Sequence, residues 1–156
     1  MVRRSLTILT VLCVLLVGAA APSFAGKIRG APGGGGQWHE AELNGANEVP
    51  GPGDADGTGT AIVTLNKGRG EVCWQLNVSN ITLPAAAAHI HRGEAGVPGP
   101  VVVTLSAPAA DGEAIGCTSA DKSLIDAIRL NPSDYYVNVH TSDFPAGAVR
   151  GQLTTG

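Results

Sequence analysis

Three of the four histidines stand where strand periodicity lets them act together: His89 and His91 in Ala88-His89-Ile90-His91, and His140 closing Tyr135-Tyr136-Val137-Asn138-Val139-His140. Successive side chains on a strand point to opposite faces, so His89 and His91 share one face while Ala88 and Ile90 take the other. The same parity puts Tyr136, Asn138 and His140 on one face and Val137 and Val139 on the other. Two imidazoles spaced in this way can reach one ion. A third from a neighbouring strand completes a three-nitrogen site suited to copper or zinc. An equally simple reading is a hydrogen-bonded brace, in which the imidazoles pair with Glu48, Asn138, Arg150 or Gln152 and fix the strand ends and loops. The residue types are compatible with both. His39 stands apart, on the face of Ala41 and Leu43, and is expected to pack rather than ligate.

The elements that must position these groups are short and mostly extended. Trp38–Leu43 alternates and is read as a first strand, with Asn44-Gly45 as its turn. Glu48-Val49-Pro50 opens a Gly/Pro/Asp loop that runs to Gly57. Gly57–Leu65 and Val72–Val78, joined by Lys67-Gly68-Arg69-Gly70, make a hairpin. Val101–Leu105 is a continuous β-branched run, which predicts a strand covered on both sides. Ala107–Gly116 reads as a loop, and Thr118 with Asp121 as a capping box. Asp121–Leu130 carries Leu124, Ile125 and Ile128 at helical spacing and ends before Asn131-Pro132, which predicts one short helix lidding the core. About seven strands with turns every eight to twelve residues describe a β-sandwich or small Greek-key barrel. Its core is predicted to hold Val63, Leu65, Trp74, Leu76, Ile90, Val103, Val137, Val139, Val149 and Leu153. Arg150 and Gln152 alternate opposite Val149 and Leu153. Arg150 is expected to face solvent, the alternative being a charge partnership with Glu48.

The chain's 156 residues suit one domain, and its first 25 read as an export signal. Arg3 and Arg4, the apolar run Leu6–Val17 and the small-x-small triplet Ser23-Phe24-Ala25 together describe a secretory leader, residues 1–25, cleaved near Ala25. The apolar run is too short for a membrane span, so the mature chain is expected to have none. Residues 26–37, with Gly33–Gly36, form a flexible spacer, and residues 38–156 form the domain. Without Arg3 and Arg4, 8 basic residues face 13 acidic ones, a formal charge of −5 that argues against nucleic acid and anionic membrane partners. Cys13 leaves with the leader, and the remaining pair, Cys73 and Cys117, is expected to form a disulfide in an exported chain.

Other chemical signals are weak. Gly93–Gly99 lacks the fingerprint and the following helix of a phosphate loop and reads as a turn. No Gly-x-Ser-x-Gly elbow is present. Glu48 and Glu94 belong more naturally to solvated loops than to a catalytic carboxylate pair.

Three longer pieces resemble the CHRD domain, the module named after chordin and found in many exported microbial proteins. They are Ala41-Glu42-Leu43-Asn44-Gly45-Ala46-Asn47-Glu48-Val49-Pro50, then Ala88-His89-Ile90-His91 through Gly99-Pro100-Val101-Val102, and last Tyr136-Val137-Asn138-Val139-His140-Thr141 through Arg150-Gly151-Gln152-Leu153. They occur in the family's order and span the whole mature domain. The resemblance implies an immunoglobulin-like or superoxide-dismutase-like Greek-key β-sandwich and no settled activity. In chordin-like animal proteins such modules belong to growth-factor antagonists, whose cysteine-rich modules this chain lacks. His-x-His also looks like part of the copper site of copper-zinc superoxide dismutase, whose two-metal site uses more histidines than remain here. The expectation is therefore a secreted, non-enzymatic module of the extracellular or envelope space, binding an unknown extracellular protein or ligand or serving structurally. The alternative is a mononuclear copper or zinc protein built on His89, His91 and His140.

Overall fold

The computed structural model describes residues 36–156, so the expected leader, Cys13 and nearly all of the spacer lie outside the described residues. The strands are β1 (Gln37–Asn44), β2 (Thr58–Asn66), β3 (Glu71–Ser79), β4 (Ala87–Arg92), β5 (Val101–Leu105), β6 (Glu113–Ser119), β7 (Tyr135–His140), β8 (Val149–Gln152) and β9 (Thr154–Thr155). Among the described residues a single α-helix, α1 (Lys122–Leu130), precedes β7. The strands run in the order β5-β4-β7-β8-β1-β2-β3-β6, with β9 on β1, and all pairs are antiparallel. The sheet curls until its edge strands β5 and β6 approach one another across a groove lined by Val102, Thr104, Thr118 and Leu124, which nearly closes it into a sandwich-like barrel.

Strand alternation sorts the core. Every residue of the predicted set, from Val63 to Leu153, is buried, together with Ala41, Leu43, Ala61, Val72, Ala88 and Leu105. The β2–β3 hairpin turns at Gly70, whose φ of +67° is a left-handed conformation that glycine adopts without a Cβ penalty. Helix α1 closes the core with Ile125 and Ile128, as its spacing predicts. On its outer face Asp126 accepts from Lys67 at 2.7 Å and from Arg129 at 3.0 Å.

Four expectations fail for identifiable reasons. β5 is an edge strand covered on one side only: Val103 and Leu105 are buried, while Val101 and Thr104 are exposed, so a β-branched run here reflects strand propensity rather than two-sided burial. The predicted loop Ala107–Gly116 ends in β6, an edge strand whose outward residues are mostly exposed and which therefore carries little apolar signal. Thr118 lies in β6, and Asp121 at the helix start makes no side-chain capping bond, so the capping box does not form. Arg150 is 2 % exposed and is no solvent-facing residue, because loops cover the polar face of β7 and β8.

Cys73 and Cys117 face each other directly in the β3–β6 ladder and are joined by a disulfide. The bridge fastens the edge strand β6 to the sheet. Beside it Trp74 lies against Gly116, where any side chain would overlap the indole, and the indole N–H donates to the Ser106 hydroxyl at 3.1 Å. Among the described residues no helix is long and apolar enough to cross a membrane.

Candidate metal centre

β4 and β7 are neighbours, in a register that pairs Ala87 with His140, His89 with Asn138 and His91 with Tyr136. The three imidazoles therefore stand on one face, opposite Ala88, Ile90, Val137 and Val139, and they converge. Ring centroids are 5.5 Å apart for His89 and His91, 5.2 Å for His89 and His140, and 6.1 Å for His91 and His140. One nitrogen from each ring lies within 4.8 Å of the others.

The backbone fixes which nitrogens are free. His91 Nδ1 donates to the Gly99 carbonyl at 2.8 Å, and His140 Nδ1 donates to the Pro145 carbonyl at 3.1 Å. A carbonyl only accepts, so both rings are held with the proton on Nδ1 and the lone pair on Nε2. This is the arrangement in which metal-ligating histidines are commonly oriented by their outer hydrogen bonds. His91 Nε2 is buried and has no hydrogen-bond partner. His140 Nε2 faces His89 Nδ1 at 3.3 Å, a contact that puts the donor atoms of two strands in one place. Metal–nitrogen bonds of about 2.0–2.1 Å require the three nitrogens to close to roughly 3.4 Å in tetrahedral geometry.

The electrostatics favour neutral rings. Burial pushes the pKa of His89, His91 and His140 below the usual histidine value. Mutual repulsion reinforces burial at His89 and His140, and the Arg150 charge does so at His91, while the carbonyl bonds of His91 and His140 act against it. A neutral imidazole is the form that binds a metal.

A second polar group lies beside the histidines and differs from the predicted brace, because the imidazoles bond to backbone carbonyls and to one another. Glu48 and Asn138 are both buried, so Glu48 is not the solvated loop residue expected of it, and the Asn138 amide donates to Glu48 Oε2 at 3.3 Å. Burial raises the Glu48 pKa to about 7, against the opposing effects of that bond and of Arg150. Arg150 forms no ion pair with Glu48. Its guanidinium donates to the carbonyls of Glu94 and Val97, each at 2.9 Å, and lies 3.4 Å over the Tyr136 ring centroid. Gln152 Nε2 donates to the carbonyls of Gly93 and Ser133, both at 2.6 Å. Arg150 and Gln152 thus clamp the 93–99 turn that carries the Gly99 carbonyl. Gly99 itself admits no side chain, since a Cβ would overlap the Arg92 backbone.

His39 takes the packing role expected of it: fully buried, it donates from Nδ1 to the Thr154 carbonyl at 3.2 Å. The other group with ligand-type atoms, Glu71 with Cys73 and Cys117, has both sulfurs in the disulfide and offers no thiolate. The role of Tyr136 as the platform between His91 and Arg150 was missed from sequence. Its shared parity with His140 was the available signal.

A nearly closed antiparallel β-sandwich bearing a His-x-His strand beside a third histidine defines the class. The CHRD domain model matches residues 39–153, and the chain belongs to the CHRD family. No curated protein and no solved structure matches it.

Proposed function

We propose that this CHRD domain is an exported, non-enzymatic module whose histidine trio binds one transition-metal ion, copper or zinc. The observation that carries the reading is the convergence of three imidazoles, two of them held through Nδ1 by backbone carbonyls so that the lone pair is on Nε2, that of His140 facing His89 Nδ1. Of the two readings open from sequence, this convergence of ring nitrogens favours the ion; an unpartnered Nε2 alone would not, since the packing histidine His39 has one as well. Export is supported by the leader pattern and by the Cys73–Cys117 bridge, a bond that persists in oxidising compartments. The acidic mature chain makes nucleic acid an unsuitable partner; an extracellular protein or ligand remains the partner class for the rest of the surface.

The test is titration calorimetry of the purified, metal-stripped protein with zinc(II) and copper ions at neutral pH, together with elemental analysis as isolated. One ion per chain is expected, with binding abolished in His91→Ala and retained in His39→Ala. Wild-type protein that binds neither metal overturns the reading, and the cluster is then a brace or part of a ligand-recognition surface.

A further inference from the structure

Resting on the metal-binding reading, we infer that the site selects copper(I) over zinc(II), and that the buried guanidinium of Arg150 sets the preference by charge. Imidazole nitrogen suits both metals, so donor type does not discriminate between them. Charge does. The ligand set is three neutral rings with no carboxylate or thiolate among them. A divalent ion brings two charges into this partly buried place with no anion among its ligands, and a monovalent ion brings one.

Arg150 sharpens the difference. It is 2 % exposed and has no acidic partner within ion-pair distance; Nη2 donates to the Glu94 and Val97 carbonyls, and Nη1 is buried without a partner. β4 and β8 flank β7, so His91 and Arg150 approach Tyr136 from opposite sides. The guanidinium carbon is 3.4 Å from the Tyr136 ring centroid, and the His91 ring stacks on Tyr136 at 4.8 Å with 9° between planes. The result is a layered column of cation, phenol and ligand ring. Across about 10 Å at an effective dielectric of about 20, each further unit of positive charge on the ion costs roughly tenfold in affinity. Zinc(II) meets that cost twice and copper(I) once. Glu48, the one buried carboxylate among the described residues, opposes Arg150 when ionised and sits on Asn138, directly across from His89.

The experiment uses the full mature protein, stripped of metal and kept anaerobic at pH 8. Copper(I) affinity is read by competition with bicinchoninate, and zinc(II) affinity with a chromogenic zinc chelator. Wild type is expected to hold copper(I) at least tenfold more tightly than zinc(II). Arg150→Gln should cut that ratio roughly tenfold, and Glu48→Gln should raise it. The opposite signs matter, because a loosened 93–99 turn lowers both affinities together and leaves the ratio unmoved. If Arg150→Gln does not fold, the near-isosteric Glu48→Gln still decides: a ratio that stays level or falls overturns the charge account. Zinc(II) held as tightly as copper(I) by wild type overturns the selectivity and leaves metal binding standing. Binding of neither ion overturns the metal reading itself.

Discussion

Replacing Glu48 by glutamine should stabilise the protein at alkaline pH and leave it nearly unchanged in mild acid. The side chain is 5 % exposed, and burial lifts its pKa from 4.5 to about 7. The folded chain therefore holds a proton on Glu48 that the unfolded chain releases between those two values. Stability falls wherever the native state binds more protons than the unfolded one, so this residue costs stability as pH rises from about 4.5 through 7. The full displacement corresponds to about 3 kcal/mol, and relaxation of the covering loop brings the expected gain to roughly 2 kcal/mol. Glutamine keeps an oxygen for the Asn138 amide and carries no charge to desolvate. The histidines act in the opposite sense. Their folded pKa values are lowered, so their contribution is present above the ordinary histidine range and is lost as pH falls. Because both proteins share them, they cancel in the difference between mutant and parent. Urea denaturation of the metal-free pair at pH 5 and pH 8 supplies the measurement. A difference that is the same at both values, or a mutant less stable at pH 8, refutes the argument.

The remaining predictions concern the scaffold. Reducing the Cys73–Cys117 bridge, which spans 44 residues of sequence, should cost roughly 4 kcal/mol in the chain-entropy account while far-ultraviolet circular dichroism still reports a sheet; thiol titration of the native protein should find no free cysteine in the mature chain. Trp74→Ala should lower stability by about 3 to 5 kcal/mol in equilibrium denaturation, because the enclosed indole fills the space over Gly116 and also bonds Ser106. A cost below about 1 kcal/mol would mean that this face of the hairpin is not packed as described.

Where the physics was local, it was legible. Alternation in Val72–Val78 and in Tyr135–His140 settled which residues enter the core, and parity placed His89, His91 and His140 on one face before their strands were known to be neighbours. What escaped depends on what covers a face, which no window of sequence contains. Arg150 looks like any strand arginine; it is buried because the 93–99 turn folds over it and supplies two carbonyls. Thr118 and Asp121 have a capping spacing, but Cys117 draws the segment into the β3 ladder and the helix begins one residue later. Asn138 and Glu48 were grouped correctly as polar, yet their pairing is with each other rather than with the imidazoles.

The histidine trio and the core are set by one choice of register. Pairing His89 with Asn138 and His91 with Tyr136 also pairs Ala88 with Val139 and Ile90 with Val137, so the ladder that gathers the imidazoles also packs four apolar side chains behind them. Slipping β4 by one residue would turn Ala88 and Ile90 to the polar face and drive both histidines into the core, a change opposed by every buried methyl group on the strand. Register is thus held from the apolar side, and the polar side is free to carry groups that contribute little to stability. This is why the histidines can be kept neutral and incompletely hydrogen-bonded without loosening the fold, and why substituting one of them should be read in metal affinity rather than in the unfolding curve.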